Sequence, residues 1–206
     1  GFSLAGDRIF LTGYQSDSDK PYLIYMDYKN DSWDTENIER LYNPESDLKN
    51  FRFGIDSANG VSTYGDYVAV SCNQGTLPSS LSTSTPIVLI FKKDANNDIS
   101  YNLHQELSVR GVYGGWNGIH MYGDYLITNP YSSKGSIDLY KKNSSDQFKK
   151  DDSVPTFKVI EGSTSSTNNK YFYSRIYHSN TSEENIVTVC YYVHDQGCQI
   201  LTKDLN

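Results

Sequence analysis

The stretch NGVSTYGDYVAV, Asn59–Val70, returns as NGIHMYGDYLIT at Asn117–Thr128. The Gly-Asp pair inside each copy aligns with a third near the start of the chain, so that Gly6-Asp7, Gly65-Asp66 and Gly123-Asp124 stand 59 and 58 residues apart. Each pair opens an apolar, strand-like run: RIFLTG, YVAVSC and YLITNP. A degraded fourth copy follows at Glu184-Asn185 with IVTVCYY. A fixed period of this size is the sequence signature of a repeat architecture.

A second element recurs in phase: YLIYMDYKN (22–30), PIVLIFKKD (86–94), GSIDLYKKN (135–143) and GCQILTKDLN (197–206). Each is an apolar strand that runs into a Lys-containing polar turn. A third, looser set, ENIERL, ISYNLHQEL and DQFKKDDSV, has charges interrupting its alternation and reads as solvent-side strands. Each unit is therefore strand, Gly-Asp turn, strand, variable loop, strand, polar turn and outer strand. Four antiparallel strands per unit predict an all-β chain built from β-propeller blades, with repeats at about 1–50, 51–110, 111–156 and 157–206 in a single domain. Val68, Val70, Leu126, Ile127, Ile87, Leu89, Ile137 and Leu139 are the expected core. Gly1 aligns with Gly60, and Asn206 falls where a fourth outer strand would begin. The expectation is thus three and a half to four blades of a larger propeller, with a closed four-bladed ring as the alternative.

The pattern resembles the FG-GAP repeats of integrin α-subunit propellers. Phe53-Gly54 fits the family's opening pair, Tyr113-Gly114 approximates it, and Asn129-Pro130 resembles its Ala-Pro ending, whereas SCN at 71–73 and TGY at 12–14 lack the proline. Kelch repeats compete, but their double glycine occurs once, at Gly114-Gly115. The resemblance implies a fold used mostly for recognition. Its calcium loop, Asp-x-Asp-x-Asp-Gly, is replaced here by TYGDY and MYGDY, so it implies no metal site.

Composition narrows the partners. A formal charge of −7 over 206 residues disfavours nucleic acid, whose binders neutralise phosphates with Lys and Arg. The longest apolar run, PIVLIF at Pro86–Phe91, is strand-sized and far short of a membrane-spanning helix.

Chemistry is harder to find. Asp94, Asn96, Asp98 and Ser100 alternate oxygen groups as calcium ligands do, but they lack the turn glycine and the distal Glu, and a polar turn between strands already explains them. No Gly-x-Ser-x-Gly elbow is present, and His104, His120, His178 and His194 are scattered without metal-ligand spacing. No cofactor is implied. Asp7, Asp66 and Asp124 read first as turn residues, since a side-chain carboxylate there can bond backbone amides.

Cys190 and Cys198 flank YYVHDQG, and a hairpin centred on His194 would set them face to face as a disulfide, while Cys72 reads as a buried small hydrophobe. Sequons begin at Asn30, Asn143 and Asn180, two of them in the turn after the third strand of their repeats. The Ser/Thr-rich insert at 73–86, with Tyr113 and Trp116, offers a loop and aromatic contact surface, core packing being the alternative for the two aromatics.

The resulting functional expectation is a non-enzymatic extracellular or cell-surface adhesion propeller for a protein or glycan partner. It would sit among neighbouring copies or the rest of a longer chain. Two alternatives stand beside it: a scaffold subunit of a large assembly, and a polysaccharide-acting hydrolase or lyase in which Asp7, Asp66 and Asp124 converge.

Overall fold

The computed structural model describes residues 1–15, 20–41, 55–74, 85–108, 118–129, 136–151, 157–158, 171–178, 185–193 and 197–204. All regular structure among them is antiparallel β, with no helix. The chain divides into two units, Gly1–Trp116 and Asn117–Asn206.

The first unit holds two sheets. In the first sheet β1 (Phe2–Ala5), β2 (Arg8–Gln15) and β3 (Lys20–Lys29) run as a meander, and two short pieces, β4 (Ser32–Trp33) and β5 (Glu39–Arg40), both pair with β3 in the place of a fourth strand. The second sheet is the unbroken meander β6 (Ile55–Tyr64), β7 (Tyr67–Gln74), β8 (Thr85–Asp94) and β9 (Asn97–Ser108).

In the second unit the third sheet repeats the plan of the first. It comprises β10 (Gly118–Tyr122), β11 (Tyr125–Asn129) and β12 (Ser136–Lys142), with β13 (Phe148–Lys150) and β14 (Phe157–Lys158) sharing the outer edge of β12. The fourth sheet has three strands, β15 (Tyr171–His178), β16 (Asn185–Val193) and β17 (Gly197–Asp204), and its β15 lies beside β10 and β11.

The repeated Gly-Asp pair makes the turn joining the first two strands of sheets one, two and three. Gly6, Gly65 and Gly123 have φ of 60°, 55° and 57°, a left-handed conformation that costs a residue with a Cβ about 1–2 kcal/mol. The Asp carbonyl then accepts the backbone N–H of the third strand: Tyr28 to Asp7 at 2.6 Å, Lys93 to Asp66 at 2.8 Å and Lys142 to Asp124 at 2.7 Å. The turn therefore ties three strands together rather than two.

Strand alternation decides the packing. Phe10, Leu23 and Tyr25 lie on one face of the first sheet and meet Val61, Val68, Val70, Ile87, Leu89 and Phe91 on the facing side of the second, forming one core. Each large aliphatic side chain buried there contributes roughly 1.5–3 kcal/mol. At the edge, Ser3 and Thr63 join β1 to β6, their hydroxyls 2.9 Å apart and the Thr63 hydroxyl donating to the Leu4 carbonyl at 3.0 Å. Leu126, Ile127 and Leu139 are among the buried side chains of the third sheet. Every expected core residue whose side chain is described is buried; that of Ile137 lies outside the description.

The register of β16 and β17 corrects one expectation. Cys190 lies opposite Ile200 and Cys198 opposite Tyr192, so the two cysteines do not occupy a facing pair. The hairpin reading assumed a turn centred on His194, whereas the pairing ends at Val193 with Gly197 and centres one residue later.

Candidate functional site

Beside the Gly-Asp turns of the first two sheets lies a cleft of about 650 Å³. Its walls carry the carboxylates of Asp7, Asp27 and Asp66, the cations Arg8, Lys29 and Lys93, and the tyrosines Tyr28 and Tyr101. The repeat itself builds this site. Asp7 and Asp66 come from successive copies of one turn, and packing two sheets face to face brings the copies together.

Arg8 is the most constrained of these groups. Its Nε donates to Asp27 Oδ1 at 2.6 Å and its Nη2 to Asp27 Oδ2 at 3.1 Å, a two-pronged pairing that fixes the plane of the guanidinium. That plane lies 4.6 Å from the centre of the Tyr25 ring and 5.8 Å from that of Tyr101, whose hydroxyl accepts from Nη1 at 3.5 Å. Phe10, Tyr25 and Tyr101 form a mutually tilted trio beneath it, with centroids 5.4–5.5 Å apart.

The electrostatics follow from this packing. Hydrogen bonding from Arg8 holds the Asp27 carboxyl below its ordinary range, and the same bond, outweighing burial, keeps Arg8 protonated. Burial pushes the Tyr25 phenol up to about 12, although Arg8 opposes the shift. Lys29 reaches Asp27 at 3.4 Å and Asp34 at 3.7 Å, and Asp34 is held low chiefly by the Asn37 side-chain amide at 2.9 and 3.0 Å.

Asp7 and Asp66, read first as turn residues, thus share one cleft, while Asp124 belongs to the second unit, where its carboxylate pairs with Lys142 at 3.0 Å. Asp94 is occupied as a turn acceptor, taking the Asn96 backbone N–H at 2.8 Å and the Asn102 amide at 3.3 Å; the side chain of Asp98 lies outside the description. Among the described residues no His, Cys, Asp and Glu side chains gather in a group of three or more that could hold a metal.

Asn30 has φ of 50° and Asp31 of 62° in the two-residue turn that joins Lys29 to Ser32. Asn143 caps the turn after β12, its Oδ1 accepting from the Ser145 and Gln147 backbones at 3.0 Å each. His104 stands edge-on to Tyr67 at 5.9 Å. Tyr113, Trp116, Asn180, His194 and positions 75–84 of the insert lie outside the described residues.

Sequence reasoning missed Arg8 and Asp27 altogether. The signal was present in the repeat: the residue after each Gly-Asp is Arg8, Tyr67 or Tyr125, and its cross-strand partner is Asp27, Lys92 or Lys141. Only the first copy departs from Tyr with Lys.

No protein-family model matches the chain, and no curated protein does. Two solved structures align over all of it and over 68% of their own length, each at 10% identity. One is a provisionally assigned 6-phosphogluconolactonase of Bacteroides fragilis, at a TM-score of 0.41. The other is a provisionally assigned 6-phosphogluconolactonase of Bacteroides uniformis, at 0.39. The neighbours are thus enzymes by assignment and not adhesion proteins, and the reading of a non-enzymatic adhesion propeller is withdrawn. It rested on the recognition family the repeat resembles, on the sequons in equivalent turns and on the absence of a catalytic constellation, and on the last point charged groups from two sheets do line one cleft. At these scores the likeness carries no activity over to this chain.

Proposed function

We propose that the chain is part of a β-propeller of FG-GAP type that acts on carbohydrate, as a hydrolase or lyase, with the cleft at its first two Gly-Asp turns as the sugar site. The observation that carries the reading is the convergence of Asp7 and Asp66 with Arg8, Lys29 and Lys93 around one cleft. Carboxylates accept from sugar hydroxyls, ammonium and guanidinium groups donate to sugar oxygens, and tyrosine rings offer apolar faces. Two carboxylates on one cleft are also the minimum equipment for general acid and base work on a glycosidic bond.

The propeller is supported by an equivalence of faces. Val61, Val70 and Leu89 cover the first sheet from the second; the matching positions in the first sheet are Phe2, Leu11 and Ile24, with Leu4, Ile9 and Met26 beside them. This apolar face includes Phe2 at 70% and Leu4 at 56% exposure. A blade packed there would repeat the contact between the first and second sheets. Secretion is part of the proposal, resting on the sequons at Asn30 and Asn143 in equivalent turns.

The test is turnover. Neutral and uronate polysaccharides are incubated with the protein, and new reducing ends and the ultraviolet absorbance of unsaturated products are followed. Products are expected from the wild type and not from Asp7→Asn or Asp66→Asn. Equal product from wild type and both variants would refute the site.

A further inference from the structure

Cross-strand rows make up the apolar face of the first sheet. Phe2, Leu11 and Ile24 form one row, Leu4, Ile9 and Met26 the next, and Tyr28 with Trp33 a third. None of these side chains is charged. Phe2 and Leu4 stand largely in solvent, and Tyr28 and Trp33, set edge to face with centroids 5.2 Å apart, are 43% and 38% exposed. A continuous apolar face left open in this way marks a docking surface, and its exposed Trp and Tyr are the side chains that most often anchor one.

The rows match a covered face of the second sheet position by position. There they read Val61, Val70 and Leu89, then Thr63, Val68 and Phe91, then Lys93 with Tyr101. Phe10, Leu23 and Tyr25 of the first sheet pack on them, and the Tyr101 ring lies 5.4 and 5.5 Å from those of Phe10 and Tyr25. What covers rows of this kind is therefore the opposite face of a sheet from the same repeat. The open copy is the more apolar of the two, with Leu4 in place of Thr63 and Tyr28 in place of Lys93, the reverse of what a solvated face needs.

That opposite face is already taken in three sheets. Phe10, Ala69 and Ile127 each stand three residues after the turn Asp, and each is fully buried. The fourth sheet remains, and the single chain leaves the first sheet's rows open. We infer that this face docks a second copy of the chain, which presents its fourth sheet, β15–β17, so that the stacking of sheets continues from one molecule to the next and the contact is made twice about a twofold axis. The inference rests on the propeller part of the proposed reading, not on the sugar site, and goes past it by naming the source of the covering blade.

Sedimentation velocity over a concentration series measures the association, and a photo-reactive residue placed at Leu4, with peptide mapping, locates it. Mixing isotopically labelled and unlabelled protein separates cross-links between chains from those within one. Phe2→Ser with Leu4→Lys, and separately Trp33→Ser, alter side chains that are exposed in the single chain, and circular dichroism checks that both variants keep the fold. The wild type is expected to pass from monomer to dimer as concentration rises, both variants to dimerise at least tenfold more weakly, and the cross-links to join position 4 of one chain to β15–β17 of the other. A wild type that stays monomeric, or whose cross-links fall only within one chain, would overturn the inference and leave the propeller reading standing. A dimer unchanged in both variants would overturn it as well. Cross-links from position 4 to the first sheet of the other chain would overturn it and also remove the blade-on-blade support for the propeller.

Discussion

Arg8 and Asp27 face each other across β2 and β3, joined by contacts of 2.6 and 3.1 Å, at the cross-strand position where the second and third sheets carry Tyr67 with Lys92 and Tyr125 with Lys141. Removing one partner strands the other. Arg8→Leu should cost about 2 kcal/mol, the range for a hydrogen bond to a charged group, with the Asp27 carboxylate left in a partly buried position. The Arg8→Tyr, Asp27→Lys double variant should cost less than about 1 kcal/mol, because the cation–π pair it installs is worth about that much. Urea unfolding of the three proteins measures the difference.

Acid and alkali should act on two different residues. Asp27 has its pKa lowered below the ordinary 3.8, so the pair contributes fully above that value and its contribution is lost as pH falls through the folded-state pKa. Tyr25 has its pKa raised from 10.0 to about 12, so between those values the unfolded chain releases a proton that the folded chain keeps, and stability falls as pH rises. Urea midpoints against pH should therefore decline at both ends. Asp27→Asn should flatten the acid decline and Tyr25→Phe the alkaline one.

Thr128 and Asp138 pair across β11 and β12 at the position held by Val70 with Leu89 in the second sheet and Leu11 with Ile24 in the first. Both are buried; the Thr128 hydroxyl has no hydrogen-bond partner among the described residues, and Asp138 meets Lys150 at 3.1 Å. Lys150→Met should destabilise by about 3 kcal/mol, since it removes the ammonium facing a buried carboxylate. Thr128→Val should instead stabilise by about 1 kcal/mol, because it deletes an unsatisfied buried hydroxyl. Thermal unfolding in parallel separates the two signs.

How much of this was legible in the sequence depends on whether the repeat or its exceptions are being read. The Gly-Asp turns stood out because a left-handed turn restricts the residues that can occupy it, and the apolar runs that hold Val68, Val70, Leu126 and Ile127 reported burial directly. The meeting of Asp7 and Asp66 was legible only as an alternative, because they are 59 residues apart and become neighbours only when two sheets pack, and the cations around them were not legible at all. Arg8 was hidden for another reason. It opens the apolar run RIFLTG and reads as an ordinary strand residue until its register with Asp27 is known. Asp138 in SIDLYKK was likewise read as part of a strand, with nothing local to show that it is buried.

The two apolar faces of the repeat should respond unequally to the same change. Val70→Ser empties a filled core position and should cost about 3 kcal/mol, whereas Leu11→Ser, at the matching position on the more open face of the first sheet, should cost less than about 1 kcal/mol. Denaturant midpoints of the two variants give the ratio. If a further blade covers the first sheet in a longer form of the protein, the Leu11 cost should rise toward that of Val70 there.

The most direct test of the central claim is to locate a bound sugar. In an amide-resolved NMR titration with an oligosaccharide that the protein binds, the largest shifts should fall on Gly6, Asp7, Arg8, Gly65 and Asp66, at the wall of the cleft. They should saturate together and vanish in Asp7→Asn. Shifts confined to other residues, or unchanged in that variant, would contradict the assignment of the cleft as the sugar site.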